Sequence, residues 1–379
     1  MTQFSAAEME RRRASFGQEM ERAGVSHALV YGANRSGSAV SWLTGWPVTR
    51  EALLIVTPDP DDDVLLVSYY NHVPQARRMS VTTRVEWAGA RAAGTALDLL
   101  AARGQLPDRI GVAGALPYDQ YLLLAGQVPG VVDLNPACTG LRLVKSAEEV
   151  AVLRHAAALT DAAITALVAA LSPGTTDYEL LAATERAYTV QGGLHHIHYV
   201  GITAMDEPSV SVPAQWPTGC VVRRRDVVTC EISAAAAPEY AGQVLRTITV
   251  GAPPTPRYAE LHDVADAAYD AIAKAVLPGA RAGDLAAAAE AVIGQAGFTA
   301  IDDLVHGFGG GYLPPVVPAT GRPLATPDFT LTAGMTVVVQ PNIVTADGLA
   351  GVQTGELLLV TEHGPERLHT FPQGLHRAG

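Results

Sequence analysis

Positive charge is scarce in this chain: Lys and Arg number 26 against 38 Asp and Glu, a net charge of −12. That balance argues against a nucleic-acid partner, because binding phosphates needs clustered cations. The one basic run, Arg223-Arg224-Arg225, reads as a solvated turn ahead of a strand. Cysteine is nearly absent too. Cys138, Cys220 and Cys230 have no paired spacing, so neither a disulfide framework nor a zinc site is indicated. No stretch reaches about 18 uninterrupted apolar residues. The charged, helix-patterned start from Met1 to Arg13 lacks an apolar signal region. The expectation is a soluble, cytoplasmic protein with no membrane partner.

What is present is material for a large core, since 48% of residues are hydrophobic and only 17% charged. His27–Tyr31, Ala52–Val56, Val64–Val67 and Ile110–Ala113 read as buried strands, and Gly94–Ala102 as a helix. Residues 1–144 therefore form a small α/β domain with a mixed or parallel sheet. Near Lys145 the pattern changes. Ser146 with Glu149 makes a capping box, which satisfies two orphan backbone donors at a helix start. A helix of about 25 residues follows, with Val150, Leu153, Ala157, Ile164 and Leu167 near one face and Thr160 and Asp161 toward solvent.

Residues 145–379 contain an internal repeat. Leu180 recurs as Leu285, Glu185 as Glu290 and Gly192 as Gly297, a constant offset of 105 residues. Each helix is followed by strands, Val227–Cys230 in one half and Val337–Val339 in the other. Two such halves imply a pseudo-twofold α+β domain whose inner faces converge near the axis, where chemistry is to be sought.

Several segments together carry a resemblance. They are Lys145–Val150 with Leu153-Arg154, Ser41-Trp42-Leu43-Thr44-Gly45, Leu245-Arg246-Thr247 with Val250-Gly251, and His306-Gly307-Phe308-Gly309. Val339-Gln340-Pro341 and Leu358–Thr361 complete the set. The chain resembles the pita-bread family of creatinase, aminopeptidase P, prolidase and methionine aminopeptidase along nearly its whole length. The resemblance implies a creatinase-like α/β N-terminal domain, a pita-bread C-terminal domain and a homodimer; the segment Pro314–Pro318, too apolar for a free loop, is a candidate for the dimer contact.

The resemblance also implies a metal pair held by two Asp, one His and two Glu. Carried over residue by residue, those positions are Glu231, Gln243, His306, Gln340 and Gly355, with Glu356 adjacent on the strand and pointing to the other face. Two dications need several carboxylates to offset their charge, so no metal cofactor is expected. Creatinase is similar in working without metal, but its additional His, ahead of the first inner strand, has no counterpart in Ser209–Trp216. The family's second His position is Leu313.

His306, before a glycine-rich turn, and Glu231, at the end of an apolar run, are the leading proton-transfer candidates. Arg246 would orient Glu231 or hold a substrate carboxylate. Strand alternation puts His196 and His198 on one face, beside His195; His198 is the favoured second proton carrier and His196 a substrate contact. Gln243, Gln340 and Gln353 would bind a neutral or zwitterionic group, and Tyr312 would line the pocket. The resulting expectation is a metal-independent hydrolase of a C–N bond in a small non-peptide metabolite. A non-catalytic binding module and a metallopeptidase with a shifted ligand register are the other readings. Restoring Gln243→Asp, Gln340→Glu and Gly355→Glu together is expected to create Mn²⁺ or Co²⁺ binding.

Overall fold

The computed structural model describes residues 4–34, 39–82, 84–319, 321 and 324–379; of the expected N-terminal helix, Met1–Gln3 lie outside these. The chain divides into two compact units, Met1–Arg142 and Leu143–Gly379.

The first unit carries helices α1 (Ala6–Arg22), α2 (Ala39–Thr44), α3 (Val73–Met79), α4 (Ala92–Ala102), α5 (Tyr118–Ala125) and α6 (Asn135–Gly140). Its strands are β1 (His27–Ala33), β2 (Glu51–Val56), β3 (Val64–Val67), β4 (Arg84–Trp87), β5 (Arg109–Ala113) and β6 (Gly130–Asp133). They form one sheet in the order β4-β3-β2-β1-β5-β6. It is mixed: β1–β2 and β2–β3 run antiparallel, β1–β5, β5–β6 and β3–β4 parallel. The four apolar runs became β1, β2, β3 and β5. β4 and β6, which have no counterpart among those runs, are the sheet edges. They are only partly buried, so Arg84-Val85-Glu86-Trp87 and Gly130-Val131-Val132-Asp133 lack a continuous apolar run.

The second unit has helices α7 (Ala147–Ala170), α8 (Asp177–Thr189), α9 (Pro256–Ala275) and α10 (Ala282–Ala296). Its strands are β7 (Leu194–Ala204), β8 (Asp226–Ala237), β9 (Tyr240–Ala241), β10 (Val244–Val250), β11 (Thr299–Ala300), β12 (Asp303–Phe308) and β13 (Tyr312–Pro318). They continue as β14 (Thr336–Val339), β15 (Ile343–Val344), β16 (Gly351–Val352), β17 (Gly355–Thr361), β18 (Gly364–Arg367) and β19 (His376–Ala378). The main sheet runs β13-β12-β14-β17-β10-β8-β7. Leu159, Ile164 and Leu180 of α7 and α8 pack with Val228 and Ile232 of β8. Leu261, Ile272 and Leu285 of α9 and α10 pack with Val337 and Val339 of β14. The unit is thus two helix-backed half-sheets joined at β10 and β17.

The repeat survives down to single backbone positions. α8 begins at Asp177 and α10 at Ala282, again 105 apart. Their N-caps, Thr176 and Arg281, each donate a backbone N–H to the carboxylate three residues on, Glu179 and Asp284, and each bridges an extended segment, at Val221 and Thr330. Gly174 and Gly279 turn the chain into each helix with φ of 98° and 87°, a region side chains rarely adopt.

Two residues expected toward solvent are not there. Thr160 is not solvated: its Oγ1 accepts from Ala234 N at 3.0 Å and donates to Ala234 O at 3.2 Å, fastening α7 to β8. Asp161 contacts His369 Nδ1 at 2.7 Å and accepts from Thr370 N and Phe371 N. Helical periodicity could not anticipate partners 74 and more than 200 residues away. Pro314–Pro318, too apolar for a free loop, is part of β13, paired to β12. Among the described residues α7 is long and apolar enough to cross a membrane, but half of its most apolar window is buried inside the unit.

Candidate active site

Glu231, Gln243, Gln340 and His306 come from four separate segments and form one row, the first three joined by hydrogen bonds. Gln243 Nε2 donates to Glu231 Oε1 at 3.0 Å and to Gln340 Oε1 at 3.1 Å. Gln340 lies near the His306 ring and favours its charged form. All four are buried. Burial, with Asp302 adding repulsion, pushes the Glu231 carboxyl up to about 8, so it is predominantly protonated at neutral pH. Burial pushes the His306 imidazole down, which keeps it neutral. The Tyr312 ring stacks on His306, with centroids 4.4 Å apart, and its hydroxyl donates to Asp303 at 2.8 Å.

The backbone around the row is closely fitted. A Cβ on Gly242 would lie 2.8 Å from Ala157 Cα, so only glycine lets the segment before Gln243 rest against α7. Gln243 N also donates to His369 Nε2 at 3.2 Å, and Asp161 holds the other side of that ring. At Gly355 a Cβ would stand 2.4 Å from Val339 O and 2.9 Å from Gln340 Cα. The position opposite Gln340 therefore has no room for a side chain without backbone movement. This corrects the expected restoration: Gly355→Glu cannot be added as a simple graft.

Arg246 is not part of the row. It is fully buried, and its guanidinium donates to Glu356 Oε2 at 2.7 Å and to the carbonyls of Gly355, Leu245 and Pro372. The expected pairing with Glu231 or a substrate carboxylate is replaced by this ion pair. Glu356 also binds Arg367 and accepts from Tyr269 at 3.2 Å. Burial alone would raise its carboxyl, but Arg367 and Arg246 hold it below the usual carboxylate range. Glu356 therefore has no ligand role in the cleft, in keeping with strand alternation.

The histidine cluster divides differently from expectation. Pairing of β7 with β8 shifts register between His195 and Ile197, a bulge that breaks the alternation. His196 meets the Phe308 ring, which itself meets His306, each at 5.5 Å between centroids. His198 pairs with Ile232, a core residue of the helix-backed face, and its Nε2 lies 3.0 Å from Tyr188 Oη. Burial and the neighbouring His195 push it down to about 3. His198 is thus not a proton carrier in the cleft. Gln353 is buried, anchored through its backbone to Thr247, and its side-chain oxygen has no partner.

The sequence reading overlooked Tyr199 and Asp302. Tyr199 pairs with Glu231 across β7 and β8, and burial and the Glu231 and Asp302 charges raise its phenol. Only the register brings these groups to Glu231; a lone Tyr after a histidine run and an Asp before a strand give no local signal.

Comparison with known proteins decides the family. Residues 151–362 match Metallopeptidase family M24, and residues 12–144 match the Creatinase/Prolidase N-terminal domain. The chain belongs to metallopeptidase family M24. An M24 relative, the Xaa-Pro dipeptidase of Pyrococcus furiosus, is 24% identical over 69% of this chain and 73% of its own length. The probable dipeptidase PepE of Mycobacterium tuberculosis is 26% identical over 72% and 71%. The crystal structure of dipeptidase PepE from Mycobacterium ulcerans superimposes with a TM-score of 0.81 at 23% identity, covering 99% of both chains. The M24 pita-bread fold and its creatinase-like N-terminal domain are thereby shown. The expected non-peptide metabolite is overturned, because these curated relatives are named dipeptidases.

The donor set of this M24 chain does not suit a metal pair. It offers one carboxyl, one imidazole, two amides and a glycine. The Gln243 amide N–H points at Glu231 and Gln340, where a cation would need lone pairs. Two dications would have at most one negative charge to offset them.

Proposed function

We propose that this chain hydrolyses the peptide bond of short peptides, using its own side chains for the proton transfers. The observation that carries the reading is the Glu231–Gln243–Gln340–His306 row, in which burial pushes an acid and a base in opposite directions. Such a separation assigns the roles. Neutral His306 takes a proton from water as its oxygen attacks the carbonyl carbon. Amide N–H groups of Gln243 or Gln340 turn toward the developing oxyanion. Protonated Glu231 gives its proton to the leaving nitrogen as the C–N bond breaks. Tyr312 and His196 are proposed as walls of the substrate site. The peptide substrate class is supported by the relatives' names, and a homodimer by family resemblance.

The test is turnover of a panel of Xaa-Pro and other dipeptides by the purified chain, with chelator and with added Mn²⁺. The expected result is chelator-resistant cleavage that declines as pH rises through about 8, where Glu231 loses its proton. His306→Ala and Glu231→Gln should each lower kcat/KM by roughly 10²–10⁴-fold. Cleavage that requires Mn²⁺ would remove the metal-free roles. Peptide binding without cleavage, seen as a thermal shift, would make the protein a binding module, a reading favoured by the hydrogen bonds that tie Glu231 and Gln340 to the Gln243 amide.

A further inference from the structure

On the outer side of β7, away from the His306 row, Glu185 of α8 meets His195 and His198. One ring nitrogen of each histidine and one Glu185 oxygen all lie within 4.8 Å of one another. His195 Nδ1 is 3.5 Å from Glu185 Oε1, and the two imidazoles cross edge-on with centroids 4.7 Å apart. The β-bulge between His195 and Ile197 is what brings residues three apart to one side of a strand. His198 is 6% exposed. Tyr188 Oη anchors its Nε2, while its Nδ1 is buried without a well-formed hydrogen bond, with the Ile197 backbone as a loose polar neighbour. One anchored nitrogen and one left over is the usual condition of a metal-bound imidazole.

We propose that Glu185, His195 and His198 bind a divalent transition-metal ion of the Zn²⁺ class. Two imidazoles and one carboxylate are a sufficient protein donor set for four-coordinate zinc, with water as the fourth ligand. Glu185 and His195 are half-exposed, which gives an ion a route in, and buried His198 fixes its position. The ion ties α8 to β7, the strand that carries His196 and Tyr199 toward the cleft. It does not depend on the Glu231 row.

The experiment is equilibrium dialysis of the full chain against Zn²⁺ alone, followed by elemental analysis, with the visible absorption of bound Co²⁺ as a second readout. The expected result is one ion per chain, with His195→Ala and Glu185→Gln each weakening binding by at least about tenfold and His306→Ala leaving it unchanged. Both donor variants alter half-exposed side chains, and circular dichroism checks that they fold. Absence of Zn²⁺ binding would overturn the proposal and leave the cluster an ordinary surface ion pair. Binding that survives both donor variants, or that is lost in His306→Ala, would place the ion elsewhere and overturn it equally.

Discussion

On either side of β10 and β17, adjacent residues meet opposite electrostatic conditions. Leu245 pairs with Gly355, beside the neutral cleft row; Arg246 and Glu356, one residue along each strand, make a fully buried ion pair. Both regions are buried and both hold a carboxyl. Glu356 stays ionised because two guanidiniums face it. Glu231 has the single Gln243 amide and, among the described residues, no ion pair, so it holds its proton. Burial alone does not decide whether a carboxylate is charged; the partner does.

Removing the charge on the paired side should have the largest effect. Glu356→Ala leaves Arg246 buried without its carboxylate, and we expect a loss of about 3–5 kcal/mol in urea unfolding. A loss under about 1 kcal/mol would mean that the pair contributes no more than a surface one.

The neutral side should differ in pH dependence. The Glu231 carboxyl is raised from 4.5 to about 8. Between those values the unfolded chain has released a proton that the folded chain still binds, so this group's stability contribution falls as pH rises. The slope should approach about 1.4 kcal/mol per pH unit, with the contribution fully present only at lower pH. Glu231→Gln should remove that slope, so the stability difference between variant and parent widens from about pH 5 to pH 8. A constant difference across the window would show that Glu231 is charged in the fold.

A smaller effect tests the site's shape. Gly355→Ala places a Cβ against Val339 O, and overpacking of this kind costs about 1–3 kcal/mol. A neutral result would mean that β14 and β17 separate readily, reopening the route to a restored ligand.

Much of the site was legible because the family pattern fixes positions along the chain. His306, Glu231, Gln243 and Gln340 were named from order and spacing, and the structure joins them. Where local reasoning failed, a non-local fact intervened. His198 was misassigned by one bulge, since a single extra residue reverses every later side chain on a strand. Arg246 was given to Glu231 because both were candidates near the axis; the register gives it Glu356 instead. His369 and Asp161, which brace Gln243, lie too far apart in sequence to have been associated.

By itself the sequence determined the two-part architecture, the 105-residue repeat and the loss of negative charge at the ligand positions, since periodicity, caps and residue identity are local properties. Only the tertiary structure decided which face each side chain takes, that Gly355 has closed over with backbone, and that Glu231 keeps its proton. Those outcomes depend on strand register and on the few ångströms between groups far apart in the chain, and electrostatic energy in a dry interior is settled by such distances.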